Sequence, residues 1–391
     1  MSQIKTVVFL SNFFNHHQKP LSEALFLELG DGYTFIETEE MTEERKNMGY
    51  SDKNKPSYVK YYTDPECFRL IDQADVVIWG SAPVNLIYNR RRSKKLIFRY
   101  SERLFKRKVT IWNFPRFLYN FCRIPRLNKN TYLLCASAYA AADYAKLFAF
   151  VDRAYKWGYF PETKRYEDLD SLIESKDVRK ILWCGRFLEL KHPEMVVEVA
   201  CRLKAEGYDF QVDMIGIGEL EGQLQAMIAE KDLSNEVHLL GSMSPEEVRS
   251  HMEKASIYLF TSDRNEGWGA VLNESMNSAC AVVASHAIGS VPYLIENEKN
   301  GLIYRDGDLD DLYQKVKYLL DHPDRRVELS QNAYTTIVDE WNAENAAKKL
   351  LKLAEQLMSS SEVVFECQNK ICSKAEFLRD NWYVDQKNKM R

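Results

Sequence analysis

Short apolar runs alternate with longer segments of helical spacing along this chain, and the alternation occurs in each of its two halves. Apolar runs of about four to eight residues between polar turns are typical of buried strands, whereas longer segments with apolar residues three and four apart indicate helices. Repeated strand and helix alternation favours parallel sheets covered by helices on both faces. The sequence therefore predicts an α/β fold built from doubly wound, Rossmann-like sheets.

The halves are expected to be separate domains, because a chain of 391 residues exceeds the size at which one core stops growing. Strands are predicted at Thr6–Leu10, Ala74–Trp79, Val109–Trp112, Tyr132–Cys135, Lys180–Cys184, Gln211–Ile215, Val237–Leu239, Ile257–Phe260 and Ala281–Ala284, and helices include Leu21–Leu29, Pro193–Glu206 and Ala343–Leu357. We expect an N-terminal domain at 1–160, a polar linker at 161–178, a C-terminal domain at 179–340, and a terminal helix and tail at 341–391.

Composition fits an ordinary cytoplasmic enzyme. The net charge of -4 says little about partners, and the eight cysteines are scattered without a CxxC pair, which argues for reduced thiols and against a structural zinc site. The apolar run near the N-terminus is too short for a signal peptide, and nowhere do about 18 apolar residues run together. We therefore expect a soluble, unprocessed chain.

Two carboxylates, Glu266 and Glu274, are separated by seven residues that begin Gly267-Trp268-Gly269-Ala270. A buried strand is predicted just before them, at Ser256–Thr261, and a helix from Ala270 onward, so both carboxylates border one crevice. A helix N-terminus attracts anions, and glycines let a ligand approach the main chain closely. The pattern favours a polyhydroxylated, anionic ligand such as a sugar nucleotide, although two solvated glutamates would need no ligand.

Other motifs precede this pair in the second half. Gly185-Arg186 follows a predicted strand, with Lys191 shortly after, so both cations can turn toward the carboxyl edge of the sheet, where doubly wound folds bind ligands. Gly216-Ile-Gly218 lacks the third glycine of a dinucleotide fingerprint, and the chain has no GxxxxGK phosphate loop, which disfavours dehydrogenases and nucleoside triphosphatases. The Asp-x-Asp pairs, such as Asp168/Asp170, stand in polar linker or helix-start contexts and are weak metal-site candidates.

The segment Ser256–Gly301, with Gly185-Arg-Phe-Leu-Glu-Leu-Lys191, Gly216-Ile-Gly218 and Leu240-Gly241, resembles the donor-binding region of the family 4 retaining glycosyltransferases. The resemblance implies a GT-B fold, in which two domains face each other across a cleft and the terminal helix crosses back to the first domain, where Trp382 and Tyr383 can pack. It implies that Arg186 and Lys191 hold the donor diphosphate, that Glu274 binds the ribose and that Glu266 faces the sugar. The remaining donor-site members are Gly185, Gly216, Leu240, Gly267, Trp268, Gly269 and Ala270.

Two stretches depart from the family pattern. Ala279, Ala281 and Gly289-Ser290 replace its usual glycine and proline residues, which leaves the donor sugar open. The loop after the first strand contains Asn15-His16-His17-Gln18 instead of a glycine-rich sequence. We interpret these four residues as the acceptor side, where a neutral histidine orients or deprotonates a hydroxyl group; the alternative is a histidine pair without a role.

Between Arg90 and Lys129 the chain carries fourteen arginines and lysines but one acidic residue, Glu102, with aromatic residues interleaved. Cations and amphipathic aromatics suit an anionic membrane surface. A basic surface over buried aromatics is the alternative, and nucleic acid is disfavoured because no nucleic-acid motif accompanies the stretch. No motif assigns a role to Glu102.

These features together predict a retaining, metal-independent glycosyltransferase without a cofactor. Its donor would be a nucleoside-diphosphate sugar, and its acceptor a saccharide, most simply a lipid-linked one in cell-surface polysaccharide synthesis at the inner face of the plasma membrane. Two other hypotheses stay open. One is an inactive binding or scaffold subunit recruited to the membrane, and the other is a nucleotide-sugar epimerase or hydrolase on the same fold.

Overall fold

The computed structural model describes residues 4–41, 55–93, 95–106, 115, 128–359 and 370–383. The chain divides into two units: unit 1 comprises Met1–Glu162 and Asn342–Arg379, and unit 2 comprises Thr163–Trp341 and Asp380–Arg391. Each unit contains one sheet in which all strands run parallel. The α/β class predicted from the alternation of elements is confirmed.

The sheet of unit 1 has seven strands within the described residues, in the order β3-β2-β1-β4-β5-β6-β7. Its strands are β1 (Val7–Ser11), β2 (Tyr33–Glu37), β3 (Val59–Tyr61), β4 (Val76–Trp79), β5 (Leu96–Ser101), β6 (Thr131–Cys135) and β7 (Ala154–Lys156). The first helices are α1 (Lys19–Leu29), α2 (Pro65–Gln73), α3 (Tyr88–Arg92) and α4 (Ala140–Ala145).

Strands β1 and β4 lie in the middle of this sheet and are buried throughout, as expected of parallel strands covered on both faces. The predicted bounds of β1, β4 and β6 agree with the observed bounds to within two residues. The strand predicted at Val109–Trp112 lies outside the described residues. Three strands were missed by the sequence reading (β2, β3 and β7), whereas the strand-like sequence of Leu96–Phe98 indicated the first half of β5.

Unit 2 has a six-stranded sheet in the order β10-β9-β8-β11-β12-β13. Its strands are β8 (Asp177–Cys184), β9 (Gln211–Ile215), β10 (Val237–Gly241), β11 (Ala255–Phe260), β12 (Ala281–Ser285) and β13 (Leu302–Tyr304). Its helices are α5 (Leu169–Glu174), α6 (Pro193–Ala205), α7 (Glu221–Glu230), α8 (Pro245–Lys254), α9 (Val271–Asn277), α10 (Val291–Leu294), α11 (Leu309–Asp321) and α12 (Pro323–Asp339). All five strands predicted here are confirmed, and only the short β13 was missed.

The segment predicted as a linker, 161–178, contains more regular structure than its polar composition suggests. Helix α5 forms within it, and the side chain of Asp168 caps that helix by accepting a hydrogen bond from the Ser171 main chain at 2.9 Å. None of the α5 residues is fully buried, but Leu169, Leu172 and Ile173 stand at helical spacing and are half-buried, a short apolar pattern that the sequence reading missed. Asp168 is therefore a helix cap in this structure.

The terminal helix α13 (Ala343–Met358) follows unit 2 in sequence but belongs to unit 1, where it packs against α1. Asn342 caps it by accepting a hydrogen bond from the main chain of Asn345 at 2.9 Å. Leu350 and Leu351 lie on its buried side. The predicted return of the terminal helix to the first domain is confirmed.

The tail beyond α13 contacts each unit in turn. Residues 372–375 run antiparallel beside β7, with Ala375 donating to the Ala154 carbonyl at 2.9 Å and Lys156 donating to the Ser373 carbonyl at 2.8 Å. Tyr383 instead belongs to unit 2, where its hydroxyl donates to the Ile303 carbonyl at 2.6 Å. The prediction that Trp382 and Tyr383 pack on the first domain is therefore wrong, because the chain leaves unit 1 after Arg379.

We expect truncation after Met358 to destabilise the protein by several kcal/mol. It would uncover the edge of β7 and remove Tyr383, and burying one large aromatic side chain contributes roughly 1.5–3 kcal/mol. Chemical denaturation followed by tryptophan fluorescence measures the change. Truncation after Tyr383 is the matched control and should unfold like the full chain; equal midpoints for both truncations would show that residues 370–383 are dispensable.

Among the helices that the structure describes, none combines the length and apolar character needed to cross a bilayer.

Candidate active site

Strands β8 and β11 are neighbours in unit 2, and the loops that follow them lie at the same edge of the sheet. We call residues 185–192 the Lys191 loop and residues 261–270 the Glu266 loop. Two hydrogen bonds join them: the Asp263 main chain donates to the Leu190 carbonyl at 2.9 Å, and the Thr261 hydroxyl donates to the Lys191 carbonyl at 2.7 Å. The predicted donor-site motifs thus meet because their strands pair.

Lys191 and Glu266 form an ion pair between these two loops. Their side chains are only 17% and 14% exposed, so solvent screens the pair weakly. The Ser262 hydroxyl donates a second hydrogen bond to the same Glu266 oxygen, Oε2, at 3.1 Å. Residues that are 75 positions apart in sequence therefore place a cation and a carboxylate side by side.

Arg186 differs from Lys191 in having no internal partner. Its side chain is exposed, and it forms no ion pair or side-chain hydrogen bond with any residue in the described part of the chain. A guanidinium group binds phosphate oxygens with two parallel hydrogen bonds when it is free to do so. The carboxyl edge of β8 thus presents one cation held by Glu266 and a second one available to a ligand.

Glycines shape the neighbouring strand ends. Gly185 donates to the Ile215 carbonyl at 3.0 Å, and Gly216 donates to the Gly241 carbonyl at 2.8 Å, so the ends of β8, β9 and β10 converge. A Cβ atom on Gly216, whose φ is +145°, would lie 1.8 Å from the Gly185 carbonyl oxygen. Leu240 is half-buried beside this contact. Gly216 is therefore required for close packing, whatever ligand binds.

Within the Glu266 loop, Gly269 turns the chain into α9 with a φ of +79°, and a Cβ atom there would lie 2.2 Å from the Phe260 ring. Gly267 is buried, and Ala270 directly precedes α9. The Trp268 ring is 1% exposed, and its Nε1 donates to Asn273 at 2.9 Å. Its side chain thus belongs to the core of unit 2, which leaves only its main chain for the predicted donor contact.

Glu274 lies in α9, close to the end of β8. Desolvation of its carboxyl group raises the pKa of Glu274 to about 7, an effect that nearby Arg249 partly offsets. No side chain or main-chain group in the described residues donates a hydrogen bond to this carboxylate. A desolvated carboxylate that accepts no hydrogen bond raises the free energy of the folded, ligand-free protein. It is suited to receive the hydroxyl groups of a ligand.

The predicted acceptor-side residues lie in unit 1, between β1 and α1. The Asn15 side chain accepts hydrogen bonds from the main chains of His17 at 2.9 Å and Gln18 at 3.1 Å, which fixes the turn into α1. The His16 and His17 rings are 3.8 Å apart. Asn15 therefore has a structural role at this turn, and the two imidazoles form one pair at the carboxyl end of β1.

Burial, and secondarily the neighbouring His16, lower the pKa of His17 to about 3. The imidazole is therefore neutral at physiological pH, as predicted. A group whose conjugate acid is this acidic is a poor proton acceptor, because efficient general bases have a pKa near the working pH. Orienting a hydroxyl group, rather than deprotonating it, is the role that fits His17.

Glu102, to which the sequence assigned no role, follows β5 at the carboxyl edge of the unit 1 sheet. Its carboxylate accepts a hydrogen bond from the Tyr159 hydroxyl at 2.9 Å and forms an ion pair with Lys106. The side chain remains 28% exposed. The Glu102 carboxylate is therefore fixed by these two contacts and can still accept further hydrogen bonds.

Much of the described part of the basic stretch is used inside unit 1. Arg90 is buried and donates four hydrogen bonds to main-chain carbonyls, Arg103 pairs with buried Asp143 at 3.4 Å, and Arg99 lies 4.2 Å from the Trp79 ring centre. The aromatic side chains of Phe98, Tyr100 and Phe105 are buried as well. The structural interpretation is therefore correct for these aromatic residues, whereas Arg90 and Arg103 are buried and do not belong to the basic surface that it predicted. Residues 107–114 and 116–127, with Trp112, Phe114, Phe117, Tyr119 and Phe121, lie outside the described residues.

Sequence reasoning missed two charged residues of the site, His192 and Asp263, which lie 3.8 Å apart. Their only sequence signal is position, since His192 follows Lys191 and Asp263 precedes Glu266 by three residues. Among the described residues, no group of three or more His, Cys, Asp or Glu side chains is arranged to hold a metal ion.

Comparison with known proteins finds a family model that matches part of this chain. Residues 165–336 match the family model "Glycosyl transferases group 1". The chain is 32% identical over 184 residues to the amylovoran biosynthesis glycosyltransferase AmsK of Erwinia amylovora, a match that covers 46% of this chain and 45% of that protein. It is 29% identical over 156 residues to the N-acetylgalactosamine-N,N'-diacetylbacillosaminyl-diphospho-undecaprenol 4-alpha-N-acetylgalactosaminyltransferase of Campylobacter jejuni, covering 40% of this chain and 41% of that protein.

The chain thus spans less than half the length of these curated relatives. A likeness over nearly the whole chain comes from solved structures. The structure of Alr3699/HepE from Anabaena in complex with UDP and glucose has a TM-score of 0.63 and 12% sequence identity, and covers 91% of this chain and 100% of that one. At this identity the likeness concerns the fold, which is the GT-B type predicted from the sequence.

Proposed function

We propose that the chain transfers a sugar from a nucleoside-diphosphate donor to an acceptor hydroxyl group, with retention of configuration and without a metal ion, since residues 165–336 match the family model of the group 1 glycosyl transferases. The observation that carries this proposal is the ion pair of Lys191 with Glu266, with the exposed Arg186 in the same loop as Lys191 and the desolvated Glu274 in the helix that follows Glu266. Together they offer cations for a diphosphate and carboxylates for sugar and ribose hydroxyls.

The chemistry follows from where charge develops. As the bond between sugar and diphosphate breaks, negative charge grows on the leaving phosphate oxygen, and fixed cations stabilise that charge. Arg186 and Lys191 supply two, which a metal ion would otherwise have to provide. The departing phosphate oxygen can accept the proton of the acceptor hydroxyl on the same face of the sugar, so retention needs no protein nucleophile.

The acceptor is proposed to be a saccharide, and specifically a lipid-linked one. The support is indirect: one relative is named for amylovoran biosynthesis, and another for transfer to a diphospho-undecaprenol saccharide. In unit 1, His16, His17 and Gln18 at the end of β1 and Glu102 at the end of β5 provide polar groups that suit sugar hydroxyls. We assign them to the acceptor side.

Titration calorimetry with UDP, ADP and GDP tests the donor site, and UDP is the first choice because the Anabaena neighbour was solved with it. Turnover of the matching nucleotide sugars should then persist in EDTA, and the anomeric proton of the product reports retention by nuclear magnetic resonance. Absence of nucleotide binding would favour a scaffold role. Release of free sugar or of an epimer without an acceptor would indicate a hydrolase or epimerase, and loss of activity in EDTA would refute the metal-free mechanism.

We further propose that the chain docks on anionic membranes through basic residues of the Arg90–Lys129 stretch that lie outside the described residues, Arg107, Lys108, Arg116, Arg123 and Arg126. Each cation near an anionic surface contributes roughly 1 kcal/mol, and the attraction weakens as the Debye length falls below about 10 Å. Sedimentation with anionic liposomes should therefore fall steeply with salt. Replacing the five residues with Gln should abolish sedimentation, whereas Lys348→Gln with Lys352→Gln on α13 should not; binding that ignores salt and lipid charge would contradict the proposal.

A further inference from the structure

The Lys191 loop and the Glu266 loop are joined by two charge pairs, not one. Lys191 pairs with Glu266, and the next residue, His192, lies between two carboxylates: its Nδ1 is 2.7 Å from Glu194 and its Nε2 is 3.8 Å from Asp263. Glu194 lies in the first turn of α6, whereas Asp263 belongs to the Glu266 loop. His192 therefore connects three segments at the edge of the proposed donor site.

The backbone of His192 is unusual. Its φ of +49° and ψ of +50° place it in the left-handed region, which costs a residue with a Cβ atom roughly 1 kcal/mol or more. Strain of this kind persists where surrounding contacts compensate for it. Here Asp263 and then Glu194 raise the pKa of His192 to about 10, so the ring is an imidazolium at physiological pH and pairs with both carboxylates.

Asp263 in turn fixes the position of Glu266. Its carboxylate accepts hydrogen bonds from the main chain of Asn265 at 2.7 Å and from the Asn265 side chain at 2.9 Å. Its carbonyl accepts the main-chain hydrogen bond of Glu266 at 3.1 Å. Whatever holds Asp263 against the Lys191 loop therefore also positions the turn that carries Glu266.

The Lys191–Glu266 pair cannot survive donor binding unchanged. The proposed function requires Lys191 to bind the diphosphate and Glu266 to bind the sugar. Each side chain then replaces its contact with the other by a contact with the ligand. Donor binding thus removes one of the two charge pairs between the Lys191 loop and the Glu266 loop. Both loops must nevertheless keep their relative position while the donor is bound. The pair of His192 with Asp263 involves no ligand group and can persist.

We propose that His192 is a positioning residue that holds the Glu266 loop against the Lys191 loop while the donor separates Lys191 from Glu266. This proposal rests on the proposed function. It goes beyond the proposed function because it assigns His192 contacts with Glu194 and Asp263 only, and none with donor or acceptor. Misplacing a catalytic group by about 1 Å can lower a rate by about 10²-fold, so loss of this contact should appear in kcat.

The test compares His192→Asn, which tolerates the left-handed backbone but removes the cation, with His192→Gly, which also relieves the strain and so guards against misfolding. Both should lower kcat by about tenfold or more, with a smaller change in KM. His238→Asn is the matched control, because His238 also lies beside an aspartate, Asp213, at 3.6 Å, but outside both loops. It should keep the wild-type kcat.

Asp263→Asn completes a double-mutant cycle. If the two residues act as one contact, the double variant with His192→Asn should lose no more activity than the worse single variant. Wild-type kcat in His192→Asn or His192→Gly, or losses that multiply in the double variant, would overturn the proposal. A wild-type protein that neither binds UDP, ADP or GDP nor turns over the corresponding sugars would instead refute the proposed function.

Discussion

Lys191→Ala should lower kcat/KM by about 10²-fold or more, because the charge that develops on the leaving diphosphate would lose a fixed cation. The same substitution leaves Glu266 without its ion-pair partner, and its side chain is only 14% exposed. An uncompensated carboxylate next to a diphosphate repels it, so the loss should exceed that of a simple phosphate contact. Steady-state kinetics with saturating acceptor measures the effect.

Arg186→Ala should cause a loss of similar size by a different route. Arg186 has no partner among the described residues, so its removal deletes a ligand contact without stranding a carboxylate. We expect the Arg186→Ala variant to keep the wild-type melting temperature, whereas Lys191→Ala should lower the melting temperature because it leaves Glu266 unpaired. Lys231→Ala is the control, since Lys231 is similarly half-buried and paired, at 3.0 Å from Glu198. If all three variants retain wild-type kcat/KM, the donor site lies elsewhere.

Glu274→Gln should weaken binding of the nucleoside diphosphate by about 10-fold or more, since each charge-assisted hydrogen bond to a ribose hydroxyl contributes roughly 1.5–3 kcal/mol. The pKa of Glu274 in the free protein is about 7, and hydroxyl donors favour the charged form, so binding lowers this pKa. Affinity should therefore rise as pH increases through 7 and fall below it. Calorimetry from about pH 6 to pH 8 measures the trend.

The Gln variant serves as its own control for titration of the nucleotide phosphates, because those groups titrate in both proteins. The ratio of wild-type to variant affinity should grow with pH. A constant ratio would mean that Glu274 does not bind the ligand as a carboxylate. Glu198→Gln, a surface substitution, should leave affinity unchanged at every pH.

The raised pKa of Glu274 makes nucleotide affinity increase with pH but makes folding stability decrease with pH. A carboxyl group whose pKa is raised on folding keeps its proton longer in the folded state, so folding stability falls as pH rises from about 4.5 to about 7. The full effect is on the order of 3 kcal/mol above that window. Glu274→Gln should thus be more stable than the wild type at pH 8 while binding nucleotide less tightly.

Strands were predictable where burial on both faces produced an unbroken apolar run, as in β1, β4 and β11. The missed strands β3, β7 and β13 have three residues each, too few for a periodic signal, and β2 contains Thr34 and Glu37, polar residues that are nevertheless buried. Glu37 is satisfied by a hydrogen bond from the Phe14 main chain at 2.7 Å. A hydrogen-bond partner that is distant in sequence cannot be predicted from the residues next to Glu37.

The donor-side residues were predictable because glycine and charge spacing accompany them, but their contacts were not. That Lys191 meets Glu266 depends on β8 lying next to β11, which is a property of the strand order. The role of Arg90 was not predictable for a related reason: composition cannot distinguish Arg90, which donates to four main-chain carbonyls, from an arginine exposed to a membrane.

The chain passes between the units three times, after Glu162, after Trp341 and after Arg379, and this affects the order in which they can fold during synthesis. Residues 163–341 leave the ribosome as one continuous segment, so most of unit 2 is complete first. Unit 1, although it begins the chain, still lacks α13 against α1 and the tail along β7. Until residues 342–379 emerge, an apolar helix face and a sheet edge remain uncovered, and such surfaces promote aggregation. The first unit in sequence therefore cannot finish folding until most of the second unit has been synthesised.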